Sequence, residues 1–116
     1  MRTYKDLIVW KKAIELVAEI YRITTLFPKS ELFGLVMQMR RAVVSIVSNI
    51  VEGYGRRTRK ETVQFHLISF GSGLELETQI IICKKLGFVG ESEWETCDKL
   101  LDEILRMLNK MTYSSR

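Results

Sequence analysis

Apolar residues recur every three to four positions along four stretches of the chain, and this spacing constrains the fold more than any other feature. Such a period places the apolar side chains on one face of an α-helix, whereas a half-buried strand needs strict alternation. No stretch alternates for long enough to compete. The first stretch begins at Leu7 and continues through Trp10, Ala13, Leu16, Val17, Ile20 and Tyr21. The sequence therefore predicts an all-α fold.

Glycine and proline mark where the helices stop. Pro28 ends the first helix, because the residue before proline disfavours helical geometry. Gly53 and Gly55 end the second helix, and Gly87 ends the third. With these stops the sequence predicts one domain over residues 1–116, with four helices at about 6–26, 31–53, 59–86 and 92–111.

Polar residues mark where the later helices begin. Ser30 is a plausible cap for the second helix. Thr58 with Glu61, and Ser92 with Glu95, have the spacing of capping boxes for the third and fourth helices. Short connections between helices favour antiparallel neighbours, so we predict an up-down four-helix bundle.

The second helix carries more apolar surface than one face of a bundle needs. A helix that is apolar on two sides is either central in its domain or part of a subunit interface, and we infer self-association. The alternative is that both stripes fit a wide groove between neighbouring helices. One stripe contains Leu35, Met39, Ala42, Ile46 and Ile50, and the other contains Val36, Val43, Val47 and Val51.

A third stripe of the same helix is polar. Glu75 of the third helix could meet Arg40 or Arg41 across the bundle, and such a pair would fix the helix register more than it would add stability. We therefore predict a structural polar seam. Its members are Gln38, Arg41, Ser45, Asn49, Glu52 and Glu75.

Positive charge is concentrated in the first half of the chain, where residues 1–60 carry twelve Lys and Arg against five Asp and Glu. The densest run is "RRTRK" at 56–60. Basic residues at a helix–helix corner can contact phosphates, although a solvated turn has the same composition. Tyr54 is the one aromatic residue close to this run in sequence. The candidate phosphate contacts are Arg40, Arg41, Arg56, Arg57, Arg59 and Lys60.

The residues do not assemble a catalytic or metal site. The stretch "GYGRR" lacks the terminal Lys-Ser/Thr of a phosphate loop and follows a helix rather than a strand. A di-iron site needs Glu-x-x-His, but Val63 stands three residues before His66, the single histidine. His66 is expected at the surface or an edge, and Cys83 and Cys97 are expected to be buried. We predict a protein without cofactor, metal or enzymatic activity.

The chain carries no predicted export or membrane segment. Charged residues come too early for a signal-peptide core. The uncharged run from Ala42 to Val51 is about half of the roughly 18 apolar residues that a membrane helix needs. We therefore predict a cytoplasmic protein with no membrane partner.

Several motifs together resemble one known family. They are "DLIVWKKAIEL" (6–16), "FPKSELFGL" (27–35), "QMRRAVVSIVSNIVEGYGR" (38–56) and "FHLISFGSGLELE" (65–77), followed by a leucine-rich helix. In this order they resemble the four-helix-bundle family of the 23S ribosomal RNA intervening-sequence protein, also called S23. The resemblance covers nearly the whole chain. Where family members commonly have "SIPANIAEG", this chain has Val47, Ser48 and Val51, so a proline that would kink the second helix is absent.

The resemblance implies an antiparallel bundle assembled into a five-fold, barrel-like ring in the bacterial cytoplasm. Related accessory proteins of diversity-generating retroelements bind a reverse transcriptase and nucleic acid through a basic surface. We predict a homopentameric, nucleic-acid-associated accessory protein with RNA or DNA as partner. The alternative is a protein-interaction scaffold that docks a partner such as a reverse transcriptase, with no direct nucleic-acid contact.

Overall fold

The computed structural model describes residues 3–113, in which four α-helices run antiparallel and form an up-down bundle of 44 × 24 × 23 Å. Each helix packs mainly against two others, so that α2 lies between α1 and α3, and α4 lies between α3 and α1. The predicted all-α four-helix bundle is confirmed. The helices are α1 (Ile8–Thr24), α2 (Met37–Tyr54), α3 (Arg59–Leu86) and α4 (Glu95–Tyr113).

The connection from α1 to α2 differs from the sequence prediction of one helix from residue 31. A 3-10 turn at Lys29–Glu31 and a π-helical turn at Leu32–Val36 precede α2. Gly34 has φ −106° and ψ −112°, which interrupts helical geometry, so α2 begins only at Met37. Ser30 lies inside the 3-10 turn and caps no helix. From Met37 onward α2 is unbroken through Val47, where the family proline is missing.

The ends of α3 have clear local causes. At its start the Thr58 hydroxyl accepts a hydrogen bond from the Glu61 backbone N–H at 3.2 Å, which satisfies a donor of the first turn. At its end Gly87 adopts φ +68°, a left-handed conformation that glycine takes without steric cost. The predicted capping box at the start of α4 is wrong. A 3-10 turn, Glu91–Trp94, leads into α4, and the Ser92 side chain makes no hydrogen bond within residues 3–113.

Two glycines lie where helices approach closely. α2 continues through Gly53 to Tyr54, so Gly53 does not stop the helix as predicted. A Cβ at Gly53 would lie 3.0 Å from Cδ2 of His66 in α3, and a Cβ at Gly73 would lie 2.6 Å from Cδ2 of Leu105 in α4. The absence of a side chain at these positions is what lets the helices approach so closely.

Both apolar stripes of α2 are used inside the monomer. The wide-groove alternative therefore holds, and the self-association inferred from these stripes loses its original support. The buried members are Met39, Ala42, Ile46 and Ile50 from one stripe and Val36 and Val43 from the other, while Leu35 and Val47 pack against the core from its edge.

The remainder of the core closes the end of the bundle opposite the α2–α3 connection. The Phe27 ring contacts Phe88 at 5.4 Å and Trp94 at 6.1 Å between ring centroids. Cys83 and Cys97 are free and buried, and burial raises the pKa of their thiols to about 11 and about 12. None of the helices between residues 3 and 113 combines the length and the apolar content that crossing a bilayer requires.

Candidate functional site

The turn between α2 and α3, together with the first turn of α3, forms an exposed basic corner consisting of Arg56, Arg57, Arg59 and Lys60. Side chains here can reach a ligand because residues 54–61 are all exposed. The positive end of the α3 dipole points into the same corner, which adds to the attraction of an anion.

Two of the four cations are engaged by the protein itself. Arg56 donates to the Glu52 carboxylate at 2.6 Å, and its guanidinium lies 4.5 Å from the centroid of the Phe65 ring. Arg59 donates to the carbonyl of Met111, which ties the corner to the end of α4. These contacts orient both groups along the surface, and the Glu52 carboxylate partly neutralises Arg56.

The other two cations are available. The side chains of Arg57 and Lys60 make no hydrogen bond or ion pair with any residue from 3 to 113. Both are exposed: Arg57 lies in the turn before α3, and Lys60 lies in the first turn of α3. A phosphate could therefore bind Arg57 and Lys60 without first breaking an ion pair with the described part of the chain, which avoids a cost that often weakens such contacts.

The imidazole of His66 is buried between α2 and α3, beneath the basic corner, and is called the floor of the corner here. His66 is only 4% exposed, so its predicted surface position is wrong. It is buried because Gly53 leaves room for the ring and the Thr62 hydroxyl donates to the Gly53 carbonyl at 3.0 Å, which holds the helices close. Burial, and secondly the charge of Arg59, lowers the pKa of His66. The floor is therefore uncharged at neutral pH, and the corner's charge comes from its surface cations.

Arg40 and Arg41 do not belong to this corner. Arg41 and Tyr54 are thirteen residues apart on one helix, a distance of about 20 Å at 1.5 Å per residue. Arg40 reaches α1 instead, where its Nε donates to the Thr24 hydroxyl at 3.0 Å and its guanidinium lies 4.5 Å from the Tyr21 ring centroid. A cation at the carboxyl end of α1 complements the helix dipole. The six predicted phosphate contacts therefore lie in two separate places.

Comparison with known proteins assigns the family. The model of the 23S rRNA-intervening sequence protein family matches residues 5–110. The chain belongs to this family. A search of curated proteins finds no match. Among solved structures, the family member is similar to a protein of unknown function from the S23 ribosomal protein family of Bacteroides thetaiotaomicron, determined at 1.70 Å resolution. The TM-score is 0.84 at 19% identity, over 91% of this chain and 99% of that one, which shows a shared fold.

In this 23S rRNA-intervening sequence family member, hydroxyl groups line the contact between α2 and α3. The Ser45 and Ser72 hydroxyls lie 2.8 Å apart, and Asn49 donates to the Ser45 carbonyl at 2.8 Å. From α3, the Ser69 hydroxyl donates to the Ile46 carbonyl at 2.8 Å. These short side chains allow the two backbones to pack closely.

The remaining members of the predicted polar seam lie toward solvent. Gln38, Arg41 and Glu52 are exposed, and Glu52 pairs with Arg56. Glu75 is also exposed and accepts from Gln79 at 3.3 Å. The expected contact of Glu75 with Arg40 or Arg41 is not formed within residues 3–113. Arg40 is instead held by Thr24 and Tyr21 of α1.

Among the apolar surfaces that residues 3–113 of the family member leave uncovered, one lies on α3 and another lies between α1 and α2. The outer stripe of α3 comprises Leu67, Ile68, Leu74, Ile81 and Ile82, each between 41% and 52% exposed. The Phe33 groove lies between α1 and α2, has a volume of about 500 Å³, and includes Phe33 with 80% of its surface exposed. The groove is lined by Tyr21, Leu32, Phe33, Val36, Met37, Arg40, Arg41 and Val44.

Proposed function

We propose that the protein is a non-enzymatic, self-associating bundle that binds nucleic-acid phosphates through the basic corner. The observation that carries the proposal is the pair of exposed cations at the positive end of α3, Arg57 and Lys60, whose side chains bond to no residue between 3 and 113. Arg56 and Arg59 add charge to the same surface. A cytoplasmic location, expected from the sequence, is part of this proposal.

Self-association is proposed through surfaces other than those first inferred from the sequence. The outer stripe of α3 and the Phe33 groove are different patches on different helices. An isologous dimer that covered one would leave the other exposed, whereas head-to-tail contact between the two covers both and can close into a ring. Charge agrees with this pairing, since the exposed Glu75 and Glu77 follow Leu74 of the stripe within one helical turn and Arg41 lies at the groove. A five-fold ring, as the family resemblance implies, satisfies this geometry.

Assembly would strengthen a weak phosphate site. Each copy contributes one basic corner, and a nucleic acid that bridges several corners gains affinity by avidity. The ionic contacts release counterions, so the affinity should fall steeply with salt, with a slope that grows with the number of phosphates contacted.

The phosphate contacts can be tested by fluorescence anisotropy with labelled RNA and DNA at low salt and across a salt series. Arg57→Glu/Lys60→Glu is expected to weaken binding by about tenfold or more and to flatten the salt dependence. The matched control is Lys29→Glu/Lys99→Glu, which changes the net charge equally at the other end of the bundle. If the protein binds neither RNA nor DNA at low salt, the proposal is refuted. If both double variants lose the same affinity, only net charge matters and the assignment to Arg57 and Lys60 is wrong.

Self-association can be tested separately by light scattering at micromolar concentration. Leu74→Lys places a charge on the outer stripe without touching the core, because Leu74 is 44% exposed. It should lower the measured mass to that of the 13.5 kDa monomer. Thr96→Lys, on the exposed face of α4, should leave the mass of the assembly unchanged. A monomeric wild-type protein would contradict the assembly.

The Phe33 groove favours a second candidate function, that of a protein-interaction scaffold. An exposed phenylalanine beside an apolar groove is typical of a protein-docking surface. In this case the groove would hold a partner such as a reverse transcriptase rather than a second copy. Under this alternative the Phe33→Ser variant keeps the mass of the assembly but loses the partner, whereas under head-to-tail assembly it becomes monomeric.

A further inference from the structure

The fold brings three aromatic rings together beside the basic corner, although only one of them is near it in sequence. Tyr54, the last residue of α2, is 42% exposed. The Tyr4 ring contacts it edge-on, with 6.3 Å between centroids and 71° between planes. Trp10 supports Tyr4 in turn at 5.7 Å and 66°. Tyr4, Trp10 and Tyr54 are called the aromatic cluster below.

The aromatic cluster gives Tyr54 an orientation set by the protein. Edge-to-face contacts are favourable for aromatic pairs and restrict ring rotation. Tyr54 is therefore held in place by Tyr4 while much of its own surface faces solvent. A base that stacks on Tyr54 would not have to order a freely rotating side chain, which lowers the entropic cost of binding.

The surroundings of the cluster suit a nucleotide. The Lys5 ammonium lies 5.9 Å from the Tyr4 ring centroid, and Arg57 follows Tyr54 by three residues. A surface hollow of about 360 Å³, lined by Val51, Glu52, Gly55 and Arg56, lies on the same turns of the chain. The exposed Tyr54 ring thus provides a stacking surface. The Glu52 carboxylate can accept hydrogen bonds from base amino groups, and the nearby cations can donate to phosphate.

We propose that the basic corner binds single-stranded nucleic acid, with an unpaired base stacked on Tyr54 and adjoining phosphates on Arg57 and Lys60. This inference rests on the nucleic-acid binding proposed above and specifies which form of nucleic acid is bound. In a duplex the faces of each base are covered by neighbouring base pairs, so a duplex can offer the corner only its phosphates. A single strand offers phosphates and an open base face together, and stacking tolerates any base sequence.

The test compares three labelled probes of equal length by fluorescence anisotropy at one salt concentration. They are a mixed-sequence single strand, the same strand with abasic sites throughout, and a blunt duplex. The wild-type protein is expected to bind the single strand about fivefold to a hundredfold more tightly than the abasic strand, which is the range for one stacked base. The duplex should bind with an affinity close to that of the abasic strand.

Variants at position 54 assign the effect to the ring. Tyr54→Phe keeps the ring and should keep the preference for the single strand, whereas Tyr54→Leu keeps apolar volume without a flat π-face and should lose it. Both variants should retain the wild-type salt dependence, because their phosphate contacts are intact. Circular dichroism checks that each remains helical.

The outcomes separate this inference from the proposed function. If all three probes bind equally well, or if Tyr54→Leu keeps the single-strand preference, stacking on Tyr54 is refuted while phosphate binding stands. If the duplex binds best, the corner reads duplex phosphates and the inference is overturned. If no probe binds at low salt, the proposed nucleic-acid function fails and the stacking fails with it.

Discussion

Alanine substitutions at Gly71 and Gly73 should have different effects on stability, although the two residues lie only two positions apart in α3: the first should stabilise the fold and the second should not. A Cβ at position 71 would meet no atom within 4 Å. A Cβ at position 73 would lie 2.6 Å from Cδ2 and 3.5 Å from Cγ of Leu105. The two substitutions share the same change in helix propensity and differ only in packing.

The magnitudes follow from these surroundings. Replacing glycine by alanine in a helix interior stabilises by about 1 kcal/mol, which is the expected effect of Gly71→Ala. At position 73 the same gain is offset by an overpacking cost of about 1–3 kcal/mol. Gly73→Ala should therefore lie between neutral and about 2 kcal/mol destabilising. The difference between the two variants measures the α3–α4 contact alone.

Urea unfolding followed by circular dichroism measures these free energies, with the slope of the transition required to stay constant. All variants are compared at one protein concentration, because association adds to the apparent stability. In a Leu105→Ala background the contact is gone, so Gly73→Ala should stabilise by about 1 kcal/mol, as Gly71→Ala does. A close contact between position 73 and Leu105 is refuted if Gly73→Ala stabilises the wild-type protein as much as Gly71→Ala does, or if the effect of Gly73→Ala is the same in the Leu105→Ala background.

Two further predictions concern single residues. Because the pKa of His66 is lowered from its ordinary value of 6.5, the folded state prefers the neutral ring. The free energy of unfolding should therefore be highest above pH 6.5 and should fall as the pH is lowered, by at most about 1.4 kcal/mol per pH unit. Urea titrations between about pH 7.5 and 5.5 should show this slope, and a His66→Gln variant with an unchanged slope would contradict it. Gly87→Ala should destabilise by about 1 kcal/mol, because φ +68° strains a residue with a Cβ; Gly87→Asn should cost less, and equal costs would argue against a left-handed helix end.

The helices could be predicted because their signals are local. The 3–4 spacing of apolar residues is visible within the sequence of a single helix. The Thr58 cap and the Gly87 turn likewise depend only on residues within one helical turn. The role of each glycine, as a helix end or as a close contact, was hard to predict because it depends on more than the local sequence. Nothing local distinguishes Gly87, which ends a helix, from Gly53, whose role is set by the imidazole of His66 on the next helix.

The arrangement of the candidate site depends on contacts between helices, and these have no local signal. The aromatic cluster joins Tyr4 to Tyr54 only because α1 begins at the end of the bundle where α2 stops. Arg40 was predicted to contact phosphate or Glu75, but α1 ends beside it and supplies Thr24 and Tyr21. The basic run at 56–60 could be recognised as a corner because Gly55 precedes it and the capping residue Thr58 lies within it.

The hydrogen bonds between α2 and α3 make the two helices unequally tolerant of amino-acid substitution. The Ser69 and Thr62 hydroxyls of α3 donate to the carbonyls of Ile46 and Gly53 in α2. Every amino acid provides a carbonyl, so a replacement of Ile46 that fits the core leaves its acceptor in place. A replacement of Ser69 removes the donor itself. Over evolutionary time α2 is therefore freer to change its side chain at position 46, whereas α3 must keep a hydroxyl residue at position 69 for this hydrogen bond to survive.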